Sequence, residues 1–106
     1  MRSKENLFAG IPAALAGEFT ERLAGSAGAR VERVVSRGHA SPPGFWYDQP
    51  ETEWVVVVSG RARLQFDGGV SVELAAGDHL TIPPHTRHRV EWTSDREDTV
   101  WLAVFF

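Results

Sequence analysis

Cysteine is absent from the 106 residues. That absence excludes a disulfide framework, a thiolate zinc site and a cysteine nucleophile together, and it fits a reducing compartment. A charge surplus is missing too. Eleven Lys and Arg stand against 14 Asp and Glu, for a formal net charge of −3, so nothing points to nucleic acid or a membrane surface as partner. Arg87, Arg89 and Arg96 alternate with Glu91, Asp95 and Glu97, as on a mixed, solvated face. No apolar run approaches a membrane span, and no N-terminal stretch has the basic start and long apolar centre of a secretory signal. The expectation is a soluble, cytoplasmic protein. A glycine-rich phosphate loop, a serine nucleophile elbow and a dinucleotide fingerprint are lacking as well.

What is present divides into two parts of one domain, long enough to close a single hydrophobic core. Residues 1–28 read as an N-terminal helical segment. In "IPAALAGEFTERLAG", Leu15, Phe19 and Leu23 recur at steps of four, with Pro12 near the start and Gly25 available as a stop. From residue 29 to 106 the period is two. "VERVVSR" is β-branched, and "EWVVVVSG" is apolar on both faces. "RARLQFDGGVSVEL" reads as a hairpin, with Ala62, Leu64 and Phe66 facing Val70, Val72 and Leu74 across the "DGG" turn. "HLTIPP", "HRVEW" and "TVWLAVFF" follow, and Trp54, Trp92 and Trp101 read as core or sheet-to-sheet packing. Many short strands with Gly and Asp turns between them predict an all-β sandwich or barrel.

One long segment is irregular: "GHASPPGFWYDQPE", with Pro42, Pro43, Gly44 and Pro50 around Phe45, Trp46 and Tyr47. Such loops are often functional. Four histidines are present, and His85 and His88 lie closest together. Alternation sets His88 on one face with Val90 and Trp92, pointing inward, as a core histidine or as part of a site. His85 follows two prolines, where strand parity fails, and stands at the rim as an exposed residue or an acid/base. His39 could reach the same mouth. His79 falls on the face opposite Leu80 and Ile82 and reads as a surface residue.

"QPETEWVVVVSG" followed by "GDHLTIPPHTRH" resembles the two sequence motifs of the cupin superfamily. Glu53 and Gly60 match the glutamate and glycine of the first motif. Gly77, Pro83 and His88 match the second. The resemblance runs from about Val31 to Phe106, and the aromatic variant "GFWYDQ…EW" with "IPPHTRHRVEWT" is similar to small stand-alone bacterial cupins. It implies a double-stranded β-helix, a jelly-roll barrel with motif residues facing its interior around one divalent metal. The sequence departs from the pattern where the family places two further histidines, which fall here on Tyr47 and Gln49 (or on Trp46 and Asp48). His85 stands where the family has a glycine.

The resemblance therefore implies a zinc, manganese, iron or nickel ion held by Gln49, Glu53 and His88. His85 would be the acid/base, and His39, Trp46 and Tyr47 would line a small-molecule pocket. Glu53 and His88 with His85 or His39 would also form the two-histidine, one-carboxylate set of non-haem iron oxygenases. The chemistry implied is a metal-dependent oxygenation, isomerisation or lyase step. The alternative is a binding or sensing module that holds its ligand without metal or catalysis. A homodimer is expected in either case, because a domain of this size has sheet edges to protect.

Overall fold

A computed structural model describes residues 3–106. Eight strands form: β1 (Phe19–Ser26), β2 (Ala29–Ser36), β3 (Glu53–Ser59), β4 (Arg61–Phe66), β5 (Ser71–Ala75), β6 (His79–Ile82), β7 (His88–Thr93) and β8 (Thr99–Phe105). They lie in two sheets, one of five strands in the order β1-β2-β8-β3-β6 and one of three in the order β5-β4-β7. Every neighbouring pair is antiparallel. Between the sheets lies the core, formed by Val55, Val57, Leu64, Leu74, Ile82, Val90 and Trp101 among others. Each such side chain contributes about 1.5–3 kcal/mol by leaving water.

The expected N-terminal helix is not there, and no helix occurs among the described residues. Phe19 and Leu23 lie instead on β1, which pairs with β2 from Phe19↔Val35 to Ser26↔Ala29. The reason lies in the period: a step of four is one turn of helix but also two full periods of a strand. The spacing of Leu15, Phe19 and Leu23 fitted both, and pairing with the β-branched β2 decides it. Leu15 precedes the strand in an irregular segment.

The expected closed barrel does not form either. The two sheets face each other without a ladder joining them. At the outer edge of β7 the hydrogen bonds go to the irregular 39–52 segment. The Ser41 N–H donates to the Val90 carbonyl at 2.9 Å, and Tyr47 and His88 exchange backbone bonds at 2.7 and 3.1 Å. Pro42, Pro43 and Pro50 have no N–H to give a ladder, so this segment meets β7 at isolated points and cannot be a closing strand.

A second local correction concerns Trp92. The register of β4 and β7 slips between Arg63 and Leu64, so that Leu64 pairs with Val90 but Arg63 with Trp92. The bulge reverses parity. His88, Val90 and Thr93 are buried, and Trp92 turns outward, 39% exposed, under the Arg63 guanidinium. Val70, expected inward, is 62% exposed because it stands in the turn ahead of β5. At Gly60, between β3 and β4, φ is +92° and a Cβ would meet the Thr99 Cα at 2.6 Å. Only glycine fits where the chain crosses from one sheet to the other.

Candidate functional site

Inward residues along one end of several strands are polar where core residues would be expected. On β3 the inward series is Glu53, Val55 and Val57, of which only the first carries charge. On β2 the even positions Arg30, Glu32 and Val34 face inward. Their odd neighbour Arg33 faces the N-terminal segment and donates to the carbonyls of Leu7 and Ala9. On β7 the series opens with His88. These positions surround a cavity of about 270 Å³ between the sheets, which Tyr47, Gln49, Trp101 and Phe105 help to enclose.

Glu53 and His88, 35 positions apart in sequence, meet at its wall. His88 is 4% exposed. Its Nδ1 lies 2.8 Å from the Thr86 carbonyl. A carbonyl oxygen only accepts, so Nδ1 carries a proton and Nε2 is turned to the cavity. Nε2 lies 3.4 Å from Glu53 Oε1, and the Gln49 amide donates to that same oxygen at 2.8 Å. Burial opposes a charge on His88, but the Glu53 carboxylate and the Thr86 carbonyl together outweigh it and hold the imidazole above its ordinary value. Tyr47 stacks on the imidazole, with centroids 5.4 Å apart and planes 25° from parallel. Burial, with Glu18, Glu53 and Glu32 nearby, pushes the Tyr47 phenol up, so it stays protonated at neutral pH.

Gln49, Glu53, His88 and Tyr47 are thus brought together at the cavity. The other three expected site residues lie elsewhere. His85 is on the outside, its side chain 68% exposed and its Nδ1 2.9 Å from Asp48 Oδ1. Trp46 lies under the guanidinium groups of Arg87 and Arg89, 5.1 and 6.0 Å from its ring. The Nδ1 of His39 accepts the Arg37 N–H at 3.0 Å, and His39 is not part of the cavity wall.

Glu18, Arg30 and Glu32 also line the cavity, and the sequence reading passed over all three. Glu18 is held from behind. The Trp101 indole donates to Ser36 Oγ at 3.2 Å, and Ser36 Oγ donates to Glu18 Oε2 at 2.8 Å. Ser36 is fully buried. Desolvation raises the Glu18 carboxyl above its ordinary value, although Ser36 and the charge of His39 act the other way. The alternation of β2 was a usable signal for Arg30 and Glu32. Glu18 gave none, because it fell within the segment expected to be helical.

A divalent metal does not fit these residues well. Glu53 and His88 supply one carboxylate and one imidazole, already facing each other, and the third group is an amide that donates to the carboxylate. Amide oxygen is a weak ligand beside imidazole. Among the described residues no group of three or more His, Asp or Glu is placed to hold an ion.

Two facing antiparallel sheets with a polar cavity at one end define a β-sandwich protein with an internal cavity. Residues 33–105 match the family model described as the cupin domain, and the chain belongs to the cupin family. It is 47% identical to a protein of Ralstonia eutropha JMP134 solved as "a putative mannose-6-phosphate isomerase", with a TM-score of 0.93 over 98% of this chain and 97% of that one. A cupin superfamily protein of Desulfitobacterium hafniense DCB-2 shares the fold at 17% identity, with a TM-score of 0.78 over 100% and 93% of the two chains. An RmlC-like cupin of Desulfovibrio desulfuricans does so at 18% identity, with a TM-score of 0.78 over 99% and 96%. No curated protein matches the sequence. Membership of the cupin family supports metal binding in general, but no metal-coordinating cluster is seen among the described residues.

Proposed function

We propose that the protein binds a small polar molecule in the cavity above Glu53 and His88, and that this pair moves a proton on the bound molecule without a divalent metal. One observation carries the reading. His88 Nε2 faces Glu53 Oε1 at 3.4 Å at the wall of a 270 Å³ cavity, with the far side of the imidazole fixed on the Thr86 carbonyl. A carboxylate and an imidazolium so placed are a base and an acid side by side, which is what a proton shift between neighbouring atoms of a substrate needs. Tyr47 and Gln49 orient the pair. The isomerase name of the Ralstonia protein agrees with chemistry of this class.

A metabolite screen by thermal shift in the presence of a chelator tests the proposal. The expected result is a ligand whose stabilisation survives chelation and is lost in His88→Ala. Protein purified without an affinity tag should carry well under one equivalent of any transition metal by elemental analysis. A stoichiometric metal that disappears in His88→Ala would overturn the metal-free reading and restore Gln49, Glu53 and His88 as its ligands. Self-association is expected through an open sheet edge such as β1, and light scattering measures it.

A further inference from the structure

The charge on the cavity wall limits what can enter. Glu18, Glu32 and Glu53 line it, against Arg30 and His88. Both cations are engaged by carboxylates. Arg30 donates to Glu32 at 3.1 Å and also to Glu51, with its guanidinium 4.0 Å over the Phe105 ring. His88 faces Glu53. Glu18 takes its hydrogen bond from a neutral hydroxyl, that of Ser36. Among the described residues Glu18 is therefore the wall carboxylate that no wall cation pairs with, although His39, outside the wall, also acts on it. The apolar part of the wall includes Tyr47, Trp101 and Phe105, with one face of Tyr47 stacked on His88 and one of Phe105 under Arg30, and aromatic rings attract cations.

A phosphate ester meets the opposite conditions. It brings up to two negative charges and needs arginine, lysine or converging backbone N–H groups. Arg30 is the single arginine of the wall, and two glutamates already hold it. In a partly desolvated cavity, like charges repel more strongly than in water.

We propose that the cavity takes a small organic cation, an amine in its ammonium form received by Glu18, in preference to a phosphate ester. The proposal rests on the pocket reading above and narrows its ligand class. The Trp101–Ser36–Glu18 relay fixes one carboxylate oxygen from behind. An ammonium entering the cavity adds positive charge beside the half-buried carboxylate and lies against the aromatic wall.

Titration calorimetry on the full chain, in chelator at neutral pH, tests this with two sets of matched probes. Mannosamine, mannose and mannose 6-phosphate form one set. Cyclohexylamine, cyclohexanol and cyclohexanecarboxylate form the other. The amine of at least one set should bind on the order of 10-fold tighter than its neutral partner, and the anion most weakly. Glu18→Gln, which keeps the Ser36 hydrogen bond, should reduce the amine's advantage to under about 3-fold, with circular dichroism confirming the fold. An anion binding as tightly as its amine in the wild-type protein overturns the inference without any variant, as does an advantage that Glu18→Gln leaves intact. Failure of all six probes to bind also overturns it. The pocket reading then stands or falls separately, on whether the screen in chelator gives a hit that needs His88.

Discussion

The two ends of β3 differ more than the two sheets do. At one end Val57 is 1% exposed and packs in the core with Ala62 and Leu74. At the other, Glu53 faces a cavity with His88 across from it. Both residues belong to the same inward series of one strand, under the same alternation. The fold itself does not require the polar end, since the inner face continues as valine for the rest of the strand. A carboxylate and an imidazole kept out of water need mutual satisfaction to avoid a large desolvation cost. Aliphatic side chains in both places would fill the space without that need. The contrast between the ends is therefore the mark of a site.

The sharpest way to break this comparison is to make one substitution at both places. Val57→Ala should cost about 2–3 kcal/mol, because it loses transfer free energy and opens a void in filled space. Val55→Ala, two residues nearer the cavity, should cost about 1 kcal/mol less, since that side chain already borders open volume. Urea unfolding measures both. Equal losses would mean that the cavity is closed by relaxation in solution and that the two ends are alike.

His88→Gln comes next, with an expected loss of about 1–2 kcal/mol near pH 6. Because the folded-state imidazole is held above its unfolded value, the pair's stabilisation is complete below the ordinary histidine range. It disappears as pH rises through the higher folded value. The gap between wild type and variant should therefore narrow towards alkaline pH. Parallel pH profiles would show that no charge is shared between His88 and Glu53.

Much of this contrast was legible in the residues. Glu53 opened a strand that was otherwise apolar, and the alternation of "HRVEW" turned His88 inward. Family resemblance supplied the pairing of the two, which spacing alone could not. The rest was hidden for identifiable reasons. Alternation read past Trp92 assumed a regular strand, and the bulge opposite Arg63 reversed it. The stripe ending at Leu23 satisfied two periods at once, so the first 28 residues were assigned to a helix, and Glu18 was lost with them. Closure into a barrel failed on backbone hydrogen bonds that go to a proline-rich segment beside β7. Proline content showed that the segment was irregular, but not where it would lie.

Glu18→Gln is a smaller perturbation, of a few tenths of a kcal/mol, and it should stabilise. Burial raises the Glu18 carboxyl in the folded state. The charged form is thus penalised in the fold relative to the unfolded chain, and stability falls as pH rises through that raised value. Glutamine has no charge to bury. Its melting temperature should equal that of the wild type in weak acid and exceed it slightly at pH 8, which differential scanning calorimetry resolves. Wild type and variant falling together would place Glu18 in water and remove it from the polar end.

The smallest effect is expected at His85, which shares a short segment with His88 and almost nothing else. His85 has φ of +55°, a left-handed conformation that costs a histidine about 1 kcal/mol and a glycine nothing. Against this, the ion pair with Asp48 is exposed on both sides and contributes between zero and about 1 kcal/mol. The His85 N–H donates to the Gln49 carbonyl at 2.7 Å, a backbone bond that no side-chain change removes. His85→Gly should therefore stay within about 1 kcal/mol of the wild type in urea and keep whatever ligand the screen finds. Loss of that ligand would show that the rim, and not only the buried pair, takes part in binding. The boundary between the two ends would then have to be redrawn to include the loop that His85 anchors.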